Sequence, residues 1–185
     1  MIDFSNLKSL TIPEGEVKKI ECNGVVLWEA LAYTNLVPTS TEIDGSTIFN
    51  SGKGYREGVR LSSSGAEKSQ SGSVVTGFIK AKRGDLIRMK GATWGTTVSG
   101  GYCYIQTYDK SGKVIHSANR YMAEGSNGVS NAFGFDKSAS SITTDSKGVT
   151  TFNMAFSDNS SFDYIRINAT GNGADMIVTI NEEIT

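Results

Sequence analysis

Apolar and polar residues take turns along one stretch after another of this chain, and no window repeats apolar residues at helical spacing for three turns. In "DYIRINAT", Ile165, Ile167 and Ala169 fall on one face, and Tyr164, Arg166 and Asn168 on the other. "VVTGFIKAKRGDLIRMKG" holds two β-rich runs around Lys82–Asp85, which reads as a hairpin or tight turn. "YCYIQTYDKSGKVIHS" repeats that plan with Asp109 to Gly112 as the turn, and "ADMIVTINEEI" closes the chain as a continuous strand. About eleven such runs predict an all-β fold, a β-sandwich with an added hairpin. The 21 glycines and only 2 prolines fit many short strands joined by turns.

The added hairpin is "VKKIECNGVVLWEA", two apolar strands around an Asn-Gly turn. It precedes a change of composition near residues 31–35, where a Gly/Ser/Asn-rich entry segment begins. The expected division is a hairpin connector over 1–32 and a sandwich over 33–185. An isolated apolar hairpin is marginal in water, so one face (Val26 with Trp28, or Val25 with Leu27) needs a neighbour. Residues 118–148 show no clear period and read as a long loop.

Several functions are disfavoured by composition. With 18 basic and 19 acidic residues spread through the chain, no basic block offers a footprint for nucleic acid. The apolar runs are too short to span a membrane, and "MIDFSNLKSL" lacks the pattern of a signal peptide, so synthesis and folding in a cytoplasm are expected. Cys22 and Cys103, the two thiols, read as small buried hydrophobes.

The single histidine, His116, excludes metal sites needing two or three imidazoles. A hydrolytic triad would have to use it, but it reads as a surface strand residue. Asp136, Asp145 and Asp158 are available for a carboxylate pair, with surface acids as the simpler account. "GKGYREG" misses the spacing of a nucleotide loop, and Arg83-Gly-Asp85 reads as turn chemistry rather than an adhesive motif. No enzyme is expected, and a polysaccharide hydrolase ranks third among the functions considered.

"TIPEGEVKKIECNGVVLWEA" resembles a short connector module of structural and tail proteins from bacteriophages of Gram-positive hosts. The stretches "GYREGVRLSSSG", "SVVTGFIKAKRGDLIRMKGATW", "YIQTYDKSGKVI", "VTTFNMAFSDNSSFDYIRINATG" and "GADMIVTINEEI" resemble its companion, a jelly-roll sandwich similar to carbohydrate-binding modules. The resemblance runs from about Leu10 onward, and residues 118–148 fall outside it. It implies a virion protein that recognises glycans on a bacterial surface or in mucus. The alternative is a capsid decoration or tail scaffold that binds only other virion proteins.

Sugar rings present apolar C–H faces that flat aromatics cover, while polar neighbours satisfy the hydroxyls. Candidates for that role are Trp94, the strand pair Tyr102 and Tyr104, and Tyr121, with Phe133 and Phe135 behind them and Arg56 and Arg60 as polar partners. Each aromatic has a competing role as filler of the sandwich. Val25, Val26, Leu27 and Trp28 are the docking candidates. Weak single-site contacts would need multiplication, so a symmetric oligomer, with a trimer as the working expectation, follows. No cofactor is expected. Calcium suits jelly rolls of this kind, with Asp44 or Asp175 as ligands, although no DxDxDG loop is present.

Overall fold

The computed structural model describes residues 19–22, 25–29, 33–40, 53–62, 64–92, 104–118, 132–133, 136 and 139–184. The chain divides into two compact units, Met1–Ala32 and Tyr33–Thr185. In the first, β1 (Lys19–Cys22) and β2 (Val25–Glu29) pair antiparallel. Ile20 opposes Trp28 and Glu21 opposes Val26, so Leu27 is the extra residue of a bulge.

The second unit is an all-β sandwich of two antiparallel sheets. The larger, seven-stranded sheet runs β3 (Tyr55–Leu61), β4 (Glu67–Thr76), β12 (Tyr164–Thr170), β7 (Tyr104–Tyr108), β8 (Val114–Ala118) and β9 (Ala132–Phe133). The short β5 (Ile79–Lys80) also pairs with β12. The smaller, four-stranded sheet runs β10 (Ser141–Thr144), β11 (Thr150–Asn153), β6 (Ile87–Lys90) and β13 (Ile177–Ile180). Alternation places the core as expected from β12. Ile165, Ile167 and Ala169 join Ile79 and Ile105 of the larger sheet, and Ile87, Met89, Ile142, Phe152 and Val178 of the smaller, in one buried cluster. Burial of this apolar surface is the main force holding the sheets together.

Side chains fill two gaps in the backbone ladders. Between β4 and β5, the Thr76 hydroxyl accepts the Ile167 N–H at 3.0 Å, and the Arg166 Nε donates to the Thr76 carbonyl at 2.8 Å. Along the outer edge of β13, the Leu36 N–H reaches the Val178 carbonyl at 2.9 Å, and the Asn35 carboxamide oxygen accepts the Val178 N–H at 3.1 Å. The entry segment thus protects an edge that would otherwise invite pairing with another chain.

The outer face of the larger sheet is partly roofed by the far end of the β3–β4 hairpin. The Asn168 side-chain oxygen accepts the Leu61 N–H at 2.8 Å, and the Gln106 side chain donates to the Ser62 carbonyl at 2.6 Å. Glu67 clamps the buried Arg166 at 2.7 Å and the more exposed Arg56 at 2.9 Å. That is why Arg166 and Asn168, on the polar side of "DYIRINAT", are buried.

Three sequence expectations are corrected, and one choice between alternatives is decided. Lys82–Asp85 is a tight turn, with the Asp85 carboxylate accepting the Lys82 N–H at 2.8 Å and Gly84 at φ 90°. It is no hairpin, because β5 and β6 belong to different sheets. Residues 118–148 are not all loop, since β10 lies there and forms a hairpin with β11. The final run is not one strand, because Gly173–Asp175 forms a 3₁₀ turn before β13. His116 is fully buried rather than on the surface. The pairing of Thr107 with His116 and Tyr108 with Val114 leaves Ile115 as a bulge, and that one-residue slip turns His116 onto the face of Thr107.

Candidate functional site

One part of the larger sheet joins three strands that are far apart in sequence. There β5, β12 and β7 run side by side, and Lys80, Tyr164 and Tyr108 occupy one cross-strand row. Phe78 makes edge-to-face contacts with Tyr108 (centroids 5.0 Å apart) and Tyr164 (6.0 Å). The Arg166 guanidinium lies 5.0 Å from the Phe78 ring centre, so this ring is held from three sides. Tyr108 is buried and its hydroxyl donates to Gln106 at 2.6 Å, whereas Tyr164 and Phe78 stay half-buried.

Tyr164 and Lys80 border two depressions. One, of about 560 Å³, is lined also by Ala81, Lys82, Asp85, Lys110, Phe162 and Asp163. The other, of about 390 Å³, is lined by Leu36, Thr39, Ser40, Phe78 and Ile79 as well. An aromatic ridge beside two hollows of mixed polar and apolar lining suits a chain-like ligand with flat apolar faces and many hydroxyls.

A second constellation surrounds His116. The Thr107 hydroxyl lies 2.7 Å from His116 Nδ1, and Asp158 lies 3.1 Å from Nε2. Asp158 also binds Arg83 at 3.3 Å, and Arg83 donates to the Ser160 carbonyl at 2.8 Å while covering the Phe156 ring at 4.7 Å. Burial pushes the imidazole below its ordinary range, and Asp158 offsets only part of that. The hydrogen bond from His116, followed by that from the Ser160 N–H, holds Asp158 at about 2. An ionised Asp158 fixes the Nε2–H tautomer, so Nδ1 accepts from Thr107. Hydroxyl, imidazole and carboxylate stand in the order of a hydrolytic triad. Yet Thr107 and His116 are both wholly buried, and the hydroxyl also accepts the His116 N–H at 3.0 Å. No substrate reaches that oxygen in this arrangement, which serves as a polar bridge between β7, β8 and residues 156–162.

Among the sequence candidates, Trp94, Tyr102 and Tyr121 lie outside the described residues, as do Phe135, Asp44 and Cys103. Tyr104 is described through its backbone, where it pairs with Asn168, and Phe133 likewise in β9. Val25, Val26, Leu27 and Trp28 are described as backbone of β2. Arg56 is tied to Glu67, and Arg60 opposes Lys68 in the roof hairpin. Asp145 caps the β10–β11 turn through the Lys147 and Val149 N–H groups, and Asp175 lies in the 3₁₀ turn. Among the described residues, no three His, Cys, Asp or Glu side chains converge as metal ligands. Phe78, Lys80, Lys82, Lys110 and Tyr164 are not among the sequence candidates for this role. The alternation of "DYIRINAT" sets Tyr164 facing outward, and only the long-range pairing of β12 with β5 and with β7 brings the others to it. Comparison with family models, with curated proteins and with solved structures gives no match.

Proposed function

We propose that the chain is a non-enzymatic attachment component of a phage virion, whose sandwich holds a bacterial cell-surface or mucus glycan. One observation supports the binding role above the others: half-exposed Tyr164 stands with Lys80 between two hollows, braced from behind by Phe78. A sugar ring stacked on Tyr164 would place its hydroxyls against the lysines and Asp85 at the rim. The phage setting, the jelly-roll assignment and the connector role of the hairpin rest on the sequence resemblance. Avidity from several copies would compensate for weak single sites.

The test is a glycan array with the full chain and with Tyr164→Ala, each checked for an unchanged melting profile. Binding to at least one surface glycan, weakened about tenfold or more in the variant, supports the reading. A folded chain that binds no glycan but is retained by other virion proteins would instead support the scaffold reading. The separate compact unit Met1–Ala32 favours that alternative as a docking piece.

A further inference from the structure

We infer that the glycan held in the larger hollow is an anionic polysaccharide, its carboxylate or phosphodiester groups met by Lys80, Lys82 and Lys110. The inference rests on the glycan-binding reading and adds the charge of the ligand. All three lysines border the same hollow. Among the described residues, none of their ammonium groups forms an ion pair with a carboxylate, whereas Arg56, Arg83, Arg88 and Arg166 all do.

Four of the described guanidinium groups are thus held by the chain's own carboxylates, and three ammonium groups stand together at one place. With two aspartates beside them, the rim carries one net positive charge on a chain whose net charge is −1. Asp85 is already committed, accepting from the Lys82 N–H at 2.8 Å and from the Asn181 amide at 3.0 Å.

The distribution of the cations says more than their number. Lys80 comes from β5, Lys82 from the turn after it and Lys110 from the β7–β8 turn. Cations carried by two segments far apart in the chain, Lys80 with Lys82 and Lys110 opposite, suit charges repeated along a polymer better than one small anion. Lys80 also borders the second hollow, so one of the three cations is shared by both. Half-buried Tyr164 supplies the apolar face for the sugar rings between charges, over a floor closed by buried Phe162. A nucleic acid fits less well, because an acidic chain with two aspartates at the rim lacks the long-range field that steers it.

Titration calorimetry with the full chain, at low and high sodium chloride, tests this against polygalacturonate, poly(glycerol phosphate), neutral dextran and single-stranded DNA. The expected result is binding to one or both anionic carbohydrate polymers, weakened about tenfold by salt and about as much by the triple change Lys80→Gln, Lys82→Gln, Lys110→Gln. Lys147→Gln, on the distant β10–β11 turn, should leave it unchanged. Preference for polygalacturonate assigns carboxylate recognition, and preference for poly(glycerol phosphate) assigns phosphodiester recognition. Salt-independent dextran binding that survives the triple change but not Tyr164→Ala overturns the charge inference and keeps the glycan reading. Binding to none of the carbohydrates by a chain that also fails on the glycan array overturns both. Equal or tighter binding of DNA overturns the inference as well.

Discussion

His116 and Asp158 meet through a 3.1 Å hydrogen bond from imidazole to carboxylate, although the imidazole is fully buried and the carboxylate is half exposed. Both groups titrate below their ordinary values, and both therefore link folding to pH in the same sense. The unfolded chain protonates this histidine near 6.5, whereas the folded chain resists until lower pH. Stability should fall as pH drops through that window. Asp158 contributes stability above the usual carboxylate value of 3.8, which is lost as pH falls toward about 2. The melting temperature of the wild-type chain should decline from pH 7 to 5 and again below 4. His116→Gln should flatten the first decline and Asp158→Asn the second. Parallel curves for wild type and His116→Gln between pH 7 and 5 would contradict this.

Glu67 holds a buried guanidinium and an exposed one at once, which separates their contributions. Burial alone would raise its carboxyl, but hydrogen bonds and charge from Arg166 and Arg56 more than offset that and hold it below 4.5. Glu67→Gln withdraws the carboxylate from Arg166, whose side chain is only 5% exposed, and should cost about 1–3 kcal/mol in urea unfolding. Arg56→Ala removes a partner that is 43% exposed and should cost under about 1 kcal/mol. Equal losses would show that the buried pair does not hold the roof.

The roof closes over the sheet at Gly65. Its φ is 82°, and an added Cβ would lie 2.8 Å from Val114 Cγ2 and 3.2 Å from a Tyr108 ring carbon. Gly58 has a similar φ of 72° with open space around it. Gly58→Ala should therefore cost only backbone strain, about 1 kcal/mol, and Gly65→Ala about 1–3 kcal/mol. The excess measures contact between roof and sheet. Indistinguishable values from equilibrium unfolding would mean that the roof yields freely.

Removal of residues 1–32 should leave the sandwich folded, because the core and both sheets are built from the second unit. Truncated and full-length chains should melt within a few degrees of each other. Light scattering should give a lower assembly mass for the truncated chain. An unchanged mass would remove the hairpin from any role in association.

Much of the sandwich was legible because alternation and turn chemistry are local. Ile165, Ile167 and Ala169 are core residues as their spacing requires, and the Asp109–Gly112 turn is capped by its own aspartate, whose carboxylate accepts the Ser111 and Lys113 N–H groups. "DSKG" before β11 repeats the Asp-x-x-Gly spacing of "DKSG" before β8, so the β10–β11 hairpin carried the same signal inside a stretch read as loop. His116 was misplaced because a bulge at Ile115 breaks the count of two, and nothing in "KVIHS" announces it. The hollows beside Tyr164 join β5, β12 and the β7–β8 turn, a meeting decided by sheet pairing across more than fifty residues and not by any local pattern.

The hollows beside Tyr164 are tested most directly by ¹⁵N NMR titration of the full chain with a soluble fragment of host wall polysaccharide. Saturable shift changes should concentrate at Lys80, Lys82, Lys110 and Tyr164, and Tyr164→Ala should remove them. Saturable changes that leave those four residues untouched would place the ligand elsewhere and contradict the proposed site.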